Sequence, residues 1–234
     1  MKVTTETQHI KSNVFNSFMK TINSPSSAGI RSLRYKNSEK VETSAKIAVS
    51  AGSIIGAMLP VLLFAKMQNK NFKKFGDILN IEYGLTEMLG VSAGSILGAV
   101  GAGFAADKKG NKKKKISEGV FQFLNTGVPS IMGWAMLKIC ENIKTLNNIP
   151  AKIAASVAGL ALGMPLAAKL SNKINDPKDL VPDRKVTAKD AFANIDDAFG
   201  ILILAKFPIA QKLHLNKVLP AIFAWCGYRA GQSN

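Results

Sequence analysis

The chain has few of the residues on which catalysis, metal binding and disulfide scaffolds depend. Its 234 residues include only two cysteines and two histidines, and neither pair has the spacing of metal ligands. Two cysteines are too few for a disulfide scaffold, so we interpret Cys140 and Cys226 as small apolar fillers of helices. No acids, histidines or cysteines gather within the apolar segments, and we therefore expect no enzyme, no metal site and no cofactor.

Arginine is also scarce. The formal charge of +16 comes from 27 lysines and only four arginines. Arginine is the usual residue for bidentate recognition of phosphates and base edges, so this balance weakens a nucleic-acid interpretation. Lysines that flank apolar segments favour attraction to anionic lipid head groups instead. We expect the lipid bilayer and its anionic head groups as partners, and no nucleic acid.

Charge is absent from four long stretches of the chain. Three of them are 19 residues long and one has 16: residues 47–65, 88–106, 119–137 and 153–168. About 20 apolar residues cross ~30 Å of hydrocarbon, and flanking lysines can extend each end towards the interface. Soluble cores rarely contain even one such run. Four in sequence predict an all-α, polytopic helical membrane protein.

The C-terminal part is less uniformly apolar. Lys206 and Lys212 interrupt residues 198–213, and the next uncharged run has only 11 residues. We favour a fifth and a sixth span here, with a re-entrant or interfacial hairpin as the alternative. The helical membrane domain would then cover residues 45–234. Its predicted spans are residues 46–66, 86–106, 119–139, 152–169, 196–213 and 215–230, with a polar loop at residues 169–195.

Residues 1–44 form a basic polar segment ahead of this domain. Within it, apolar residues recur at helical spacing from Ile10 to Ile22. A basic amphipathic helix that lies on the membrane surface has this pattern. A partly disordered tail fits the same composition, so both alternatives stay open.

The basic residues are shared unevenly between the two sides that six spans define. With the N-terminus inside, the inner segments contain 21 basic residues and the outer loops contain 10. The positive-inside rule then predicts that both termini lie in the cytoplasm. The expected location is a bacterial cytoplasmic membrane, although no motif identifies the host.

One segment of the first span recurs in the second. Residues 49–57 (VSAGSIIGA) match residues 91–99 (VSAGSILGA) at eight of nine positions. A weaker similarity links the first and fourth spans. If spans one to three and four to six are units, they would have inverted orientations, as in many secondary transporters. Similar composition accounts for the matches equally well, so duplication stays open.

Small residues at four-residue spacing are the strongest packing signal. Glycine lets helix backbones approach closely, which matters in lipid because burial of apolar side chains gives little drive there. Tight internal packing is the favoured interpretation, with Gly94 and Gly98 expected to contact the twin motif at Gly52 and Gly56, and a homo-oligomer or pore is the alternative. The candidate helix-packing residues are Gly52, Gly56, Gly90, Gly94, Gly98, Gly159 and Gly163, with a further pair at Gly227 and Gly231.

Two polar features lie within or beside the apolar runs. Glu87 directly precedes the second run, where an acid can mark an ion or proton route, or can interact favourably with a helix N-terminus. We take it as a candidate ion or proton site, and favour the boundary role. In the third span, Gln122, Asn125 and Thr126 lie beside Pro129, and could line a cavity or satisfy the carbonyl that the proline frees.

Three functional classes remain on these observations. The first is a helix-packing scaffold or assembly component of a membrane, whose basic segments bind head groups or partners. The second is a small transporter or channel built from 3+3 inverted repeats, which the repeat, the kinked spans and Glu87 support. The third, a membrane enzyme, would need acids, histidines or cysteines that converge within the spans, where none is visible. A soluble helical protein that inserts conditionally into a membrane stays as a further alternative. Flux measurements on the purified protein would separate the first two classes.

Overall fold

The computed structural model describes residues 41–107, 111–180, 195–205 and 207–233. These residues form α-helices joined by turns and short loops, and they include no strand, so the predicted all-α class is confirmed for them. The amphipathic helix considered for residues 10–22 lies outside them. The helices are α1 (Thr43–Met67), α2 (Phe75–Ile78), α3 (Leu85–Ala106), α4 (Lys112–Asn142), α5 (Ile149–Asn175), α6 (Ile195–Leu204), α7 (Pro208–Lys212) and α8 (Leu215–Gly231).

Three of these helices, α1, α3 and α5, are long and apolar enough to cross a membrane. They contain the first, second and fourth predicted spans. Many large apolar side chains on them point outwards, such as Leu63 of α1 and Leu97 of α3, which are 57% and 72% exposed. A large exposed apolar surface indicates contact with lipid or another apolar partner. By length and composition, these helices suggest a membrane protein.

The third predicted span lies in α4, which at 31 residues is the longest of the described helices. It is not among the three apolar helices, because polar residues occupy much of the face that it buries. Gln122, Asn125, Thr126 and Ser130 all lie on this face. The sixth predicted span matches α8, which has 17 residues and carries Pro220 inside.

The fifth predicted span, residues 196–213, is wrong as a continuous helix. Helix α6 ends at Leu204, and α7 begins only at Pro208. The α-helical backbone conformation is sterically disfavoured for a residue that precedes a proline. Phe207 precedes Pro208, and the helix is therefore interrupted there. The Phe207 N–H instead donates to the Leu202 carbonyl at 3.0 Å. The ten residues of α6 extend about 15 Å, which is half of the hydrocarbon thickness.

The polar loop predicted from residue 169 begins later than expected, because α5 continues to Asn175. The polar end of α5 packs against the start of α4. The Asn175 side chain donates to the Ser117 carbonyl at 3.0 Å and to Ser171 Oγ at 3.1 Å. These hydrogen bonds stabilise polar residues within α5, whereas hydropathy alone predicts that the same residues belong to a loop.

Helices α1, α3, α4 and α5 alternate in direction, and α8 runs parallel to α5, so the helix termini gather at two ends of a bundle. At the near end, Gly231 of α8 lies against Val49 of α1 and the Ala99 carbonyl of α3. At the far end, the Asn216 side chain in the first turn of α8 donates to Asn80 Oδ1 at 2.5 Å. Helix α1 therefore starts, and α8 ends, at the same end of the bundle. The chain returns to the far end between α5 and α8.

A hydrophobic core joins α1, α3 and α8 to the loop that precedes α3. Val61, Val91 and Phe223 are fully buried in it, and Tyr83 of the loop packs among them. Burial removes water from the Tyr83 phenol, which raises its pKa above the ordinary value because the charged form loses solvation. The phenol is therefore neutral at physiological pH.

Candidate functional site

The twin segments of α1 and α3 lie against each other, with glycines of one helix on the backbone of the other. A Cβ atom built on Gly52 would lie 2.5 Å from the Gly98 carbonyl oxygen, and one built on Gly98 would collide with the Gly52 carbonyl oxygen. Gly56 and Gly94 have the same reciprocal relation. Any residue larger than glycine would force the backbones apart at these positions. The structure thus brings four of the predicted packing residues together.

This contact has the symmetry of the sequence repeat. In the repeat, Gly52 corresponds to Gly94 and Gly56 corresponds to Gly98. Exchanging the two segments therefore converts the Gly52–Gly98 contact into the Gly56–Gly94 contact. A local pseudo-two-fold axis relates the antiparallel helices, as a true two-fold axis relates the subunits of an isologous dimer. The two repeated segments therefore contact each other within one helical hairpin. The inverted-repeat hypothesis, in contrast, takes spans one to three as one unit, and it does not require these two segments to be in contact.

The repeated serines meet beside the same axis and bind α8. Ser53 Oγ and Ser95 Oγ lie 3.0 Å apart. Ser95 Oγ donates to the Phe223 carbonyl at 2.8 Å, and Ser53 Oγ donates to the Ala224 carbonyl. Interhelical hydrogen bonds of this kind contribute about 0.6 kcal/mol each inside membrane proteins. Gly227 of α8 leaves room for the serines, because a Cβ on it would lie 2.6 Å from Ser53 Oγ.

A second glycine-mediated contact joins α5 to α4. A Cβ atom on Gly159 would lie 2.6 Å from Gly133 Cα, and one on Gly163 would lie 2.9 Å from the Pro129 nitrogen. Gly133 and Pro129 are not among the predicted packing residues, because a search for paired glycines does not find a Pro-Gly pair. Their four-residue spacing on α4 is the signal that would have found them.

Gly90 and Glu87 occupy different surroundings from the other candidates. A Cβ on Gly90 would meet the flexible ring of Phe64, with the Phe64 Cε2 atom at 2.9 Å, rather than a backbone. Glu87 lies in the first turn of α3, is half-buried, and accepts a hydrogen bond from the Gly84 N–H at 2.9 Å. A carboxylate that binds a free N–H at a helix start is stabilised there. This geometry explains an acid at Glu87 without an ion route.

A buried lysine at the near end was not predicted as a site. The Lys115 side chain is fully buried, and its ammonium donates to Asp107 Oδ2 at 3.0 Å and to the Ser233 carbonyl at 2.9 Å. The end of α3, the start of α4 and the end of α8 therefore meet at the Lys115 ammonium group. Helical spacing is the sequence signal for this burial. Within the run of four lysines, Lys115 lies four residues before the buried Gly119, which places both residues on the same face of α4.

Chemistry-bearing groups are few in the part of the chain that the structure describes. There, no three His, Cys, Asp or Glu residues lie close enough to hold a metal ion. Cys140 and Cys226 are buried, and they form no disulfide with each other. Comparison with known protein families, curated proteins and solved structures finds no match. Helix packing, buried polarity and the apolar surface are therefore the properties on which a function can rest.

Proposed function

We propose that the protein is a multi-pass membrane scaffold. Its glycine-packed helices would form a rigid unit within the bilayer, and this unit would bind lipid head groups or partner proteins at the membrane surface. The observation that carries this proposal is the reciprocal contact of Gly52 and Gly56 with Gly98 and Gly94. A contact that tolerates no Cβ atom fixes the distance and register of two helices. The serine bonds from the same hairpin to α8 extend this rigidity to the C-terminal helix.

The membrane placement is supported by the apolar helices and the distribution of lysines. In the six-span grouping, 21 of the 31 basic residues fall in segments attached to the near end of the bundle. We therefore place the near end, with the start of α1 and the end of α8, on the cytoplasmic side of a bacterial membrane. Helix α4 would be a fourth crossing, because its polar face is covered by α3 and α5.

A small transporter or channel is the second candidate, and the buried polar residues of α4 favour it. Polar side chains inside a membrane bundle are costly and often mark a solute pathway. We rank this candidate below the scaffold, because the geometry of Glu87 is explained by the helix start that it binds.

Integral insertion is the first expected result. Membranes that contain the protein should retain it in the pellet after washes with alkaline carbonate and with high salt, and detergent should release it. The exposed apolar side chains of α1, α3 and α5 would otherwise enter water. Release by salt alone would reduce the binding to surface electrostatics, which salt screens.

Flux measurements separate the two functional candidates. Purified protein in liposomes that contain anionic lipid should give no faster efflux of protons, potassium or small neutral solutes than protein-free liposomes. A scaffold needs no open path through its glycine-packed contacts. Reproducible efflux that depends on the amount of protein would replace the scaffold with the transporter.

A further inference from the structure

Helix α4 buries a row of polar side chains along its length. We call Gln122, Asn125, Thr126 and Ser130 the polar row, and all four are buried. Towards the near end, the Gln122 amide donates to Glu118 Oε1 at 2.7 Å. From Glu118 to Gly133, 15 residues further along the helix, the rise is about 22 Å, which is most of the hydrocarbon thickness.

Ser92 of α3 lies on the stripe of that helix that packs against α4. Leu89 and Ile96 lie on the same stripe of α3, and they contact α4 at Gly127 and Gly119 respectively. Ser92 lies between Leu89 and Ile96 at helical spacing. Along the axis of the bundle it is therefore at the same height as the part of α4 between Gly119 and Gly127. The Ser92 hydroxyl is fully buried and has no hydrogen-bond partner within the described chain.

Ser156 of α5 has a similar position nearer the far end. It shares a stripe with Gly159 and Gly163, which pack on α4, and its carbonyl oxygen lies 3.7 Å from a Cβ built on Gly133. The Ser156 side chain is buried, and its hydroxyl also lacks a partner among the described residues. Two hydroxyls from different helices thus face α4 at two levels of the bundle.

The two hydroxyls contrast with Ser53 and Ser95, which bind α8 carbonyls. A hydroxyl that is buried without a hydrogen bond costs a substantial part of its solvation free energy, and native structures rarely leave one so. Buried water normally supplies the missing bonds where several polar groups are close together. The polar row provides buried polar groups on α4, the helix against which the stripes of both serines pack.

We propose that α4 carries two internal hydration sites, one between Ser92 and the polar row and one at Ser156 beside Gly133. The ligand is water, bound through the serine hydroxyls and neighbouring polar groups of the bundle. Helix α4 then has a wet face towards α3 and α5, whereas the α1–α3 contact is dry. A scaffold does not require this wet face, so its presence adds a property to the proposed function.

Deuterium exchange of single thiols tests this proposal, with heavy water as the probe. Ser92→Cys and Ser156→Cys are made separately in a full-length chain with Cys140→Ala and Cys226→Ala, and reconstituted in lipid nanodiscs. Infrared spectroscopy then follows the S–H stretching band, which disappears as S–D forms. Water beside the thiol should make exchange at both positions on the order of tenfold or more faster than at a dry site of equal burial.

Val91→Cys is the matched dry control, because Val91 is one residue from Ser92, equally buried, and part of the hydrophobic core. Exchange that is equally slow at all three positions, or equally fast, would overturn the proposal. Ser92→Ala and Ser156→Ala give a second measurement that requires no larger side chain. Their melting temperatures should be unchanged or lower, because each variant loses a water-bonded hydroxyl. Higher melting temperatures in both variants would contradict hydration, since removing an unsatisfied group relieves its cost.

Discussion

Alanine in place of Gly98 is expected to lower the free energy of unfolding by about 3 kcal/mol, at the upper end of the usual cost of overpacking. The added methyl group would collide with the Gly52 carbonyl oxygen and lie 2.9 Å from Gly56 Cα. Both obstacles are backbone, which cannot move aside as a flexible side chain can. The helices must separate, and the bonds from Ser53 and Ser95 to α8 weaken with them.

The sign of this effect distinguishes packing from propensity. Alanine is favoured over glycine inside a helix by about 1 kcal/mol, so a glycine without a packing role gains stability from the same change. Gly101 provides the control, because it lies three residues further along α3 and a Cβ on it would meet nothing within 4 Å. Gly101→Ala should therefore be neutral or stabilising.

Equilibrium unfolding in mixed micelles of a mild detergent and dodecyl sulfate measures both variants. Leu97→Ala adds a second comparison, since Leu97 is next to Gly98 but 72% exposed, and it should have little effect in a lipid-like environment. Similar unfolding of Gly98→Ala and Gly101→Ala would remove the basis for a glycine-fixed hairpin.

The sequence predicts the long apolar helices and several of the glycines that lie where these helices approach each other. Uncharged runs locate α1, α3 and α5, because the cores of soluble domains rarely contain apolar segments long enough to cross a bilayer. The small-residue spacing identifies Gly52 and Gly98, since glycine inside a helix needs a packing reason. The break before α7 could also be predicted, because Phe207 precedes a proline.

The partners of these residues could be predicted only in part. The repeat predicts that Gly94 and Gly98 contact the twin motif at Gly52 and Gly56, and the structure places these residues against each other. The antiparallel register, with Gly52 on Gly98 and Gly56 on Gly94, required the structure. Hydropathy averages over a helix, and it therefore hides the difference between the buried polar face of α4 and its apolar faces. Lys115 is the clearest case, because its spacing from Gly119 indicates a buried face of α4, but only the three-dimensional contacts show its ion pair with Asp107.

The buried ion pair at the near end should have the second large effect. Asp107→Asn keeps the size of the side chain but removes the negative charge 3.0 Å from the fully buried Lys115 ammonium. Removing one partner of a buried pair typically costs about 3 kcal/mol, because the remaining charge stays desolvated. Unfolding in the same mixed micelles should detect this loss, and proteolysis of the C-terminus should accelerate, since Lys115 also holds the Ser233 carbonyl.

Glu141→Gln is the matched control, because it makes the same carboxylate-to-amide change in a pair that water reaches. Lys138 and Glu141 are 2.8 Å apart, but their side chains are 51% and 31% exposed, so the loss should stay below about 1 kcal/mol. The double variant Asp107→Asn with Lys115→Met tests the cause. Methionine retains much of the apolar stem that packs against Gly103 but carries no charge. The double variant should therefore unfold less readily than Asp107→Asn alone. If adding Lys115→Met instead destabilises the chain further, the cost does not come from a stranded buried charge, and the ammonium would have to stabilise the near end chiefly through its bond to the Ser233 carbonyl.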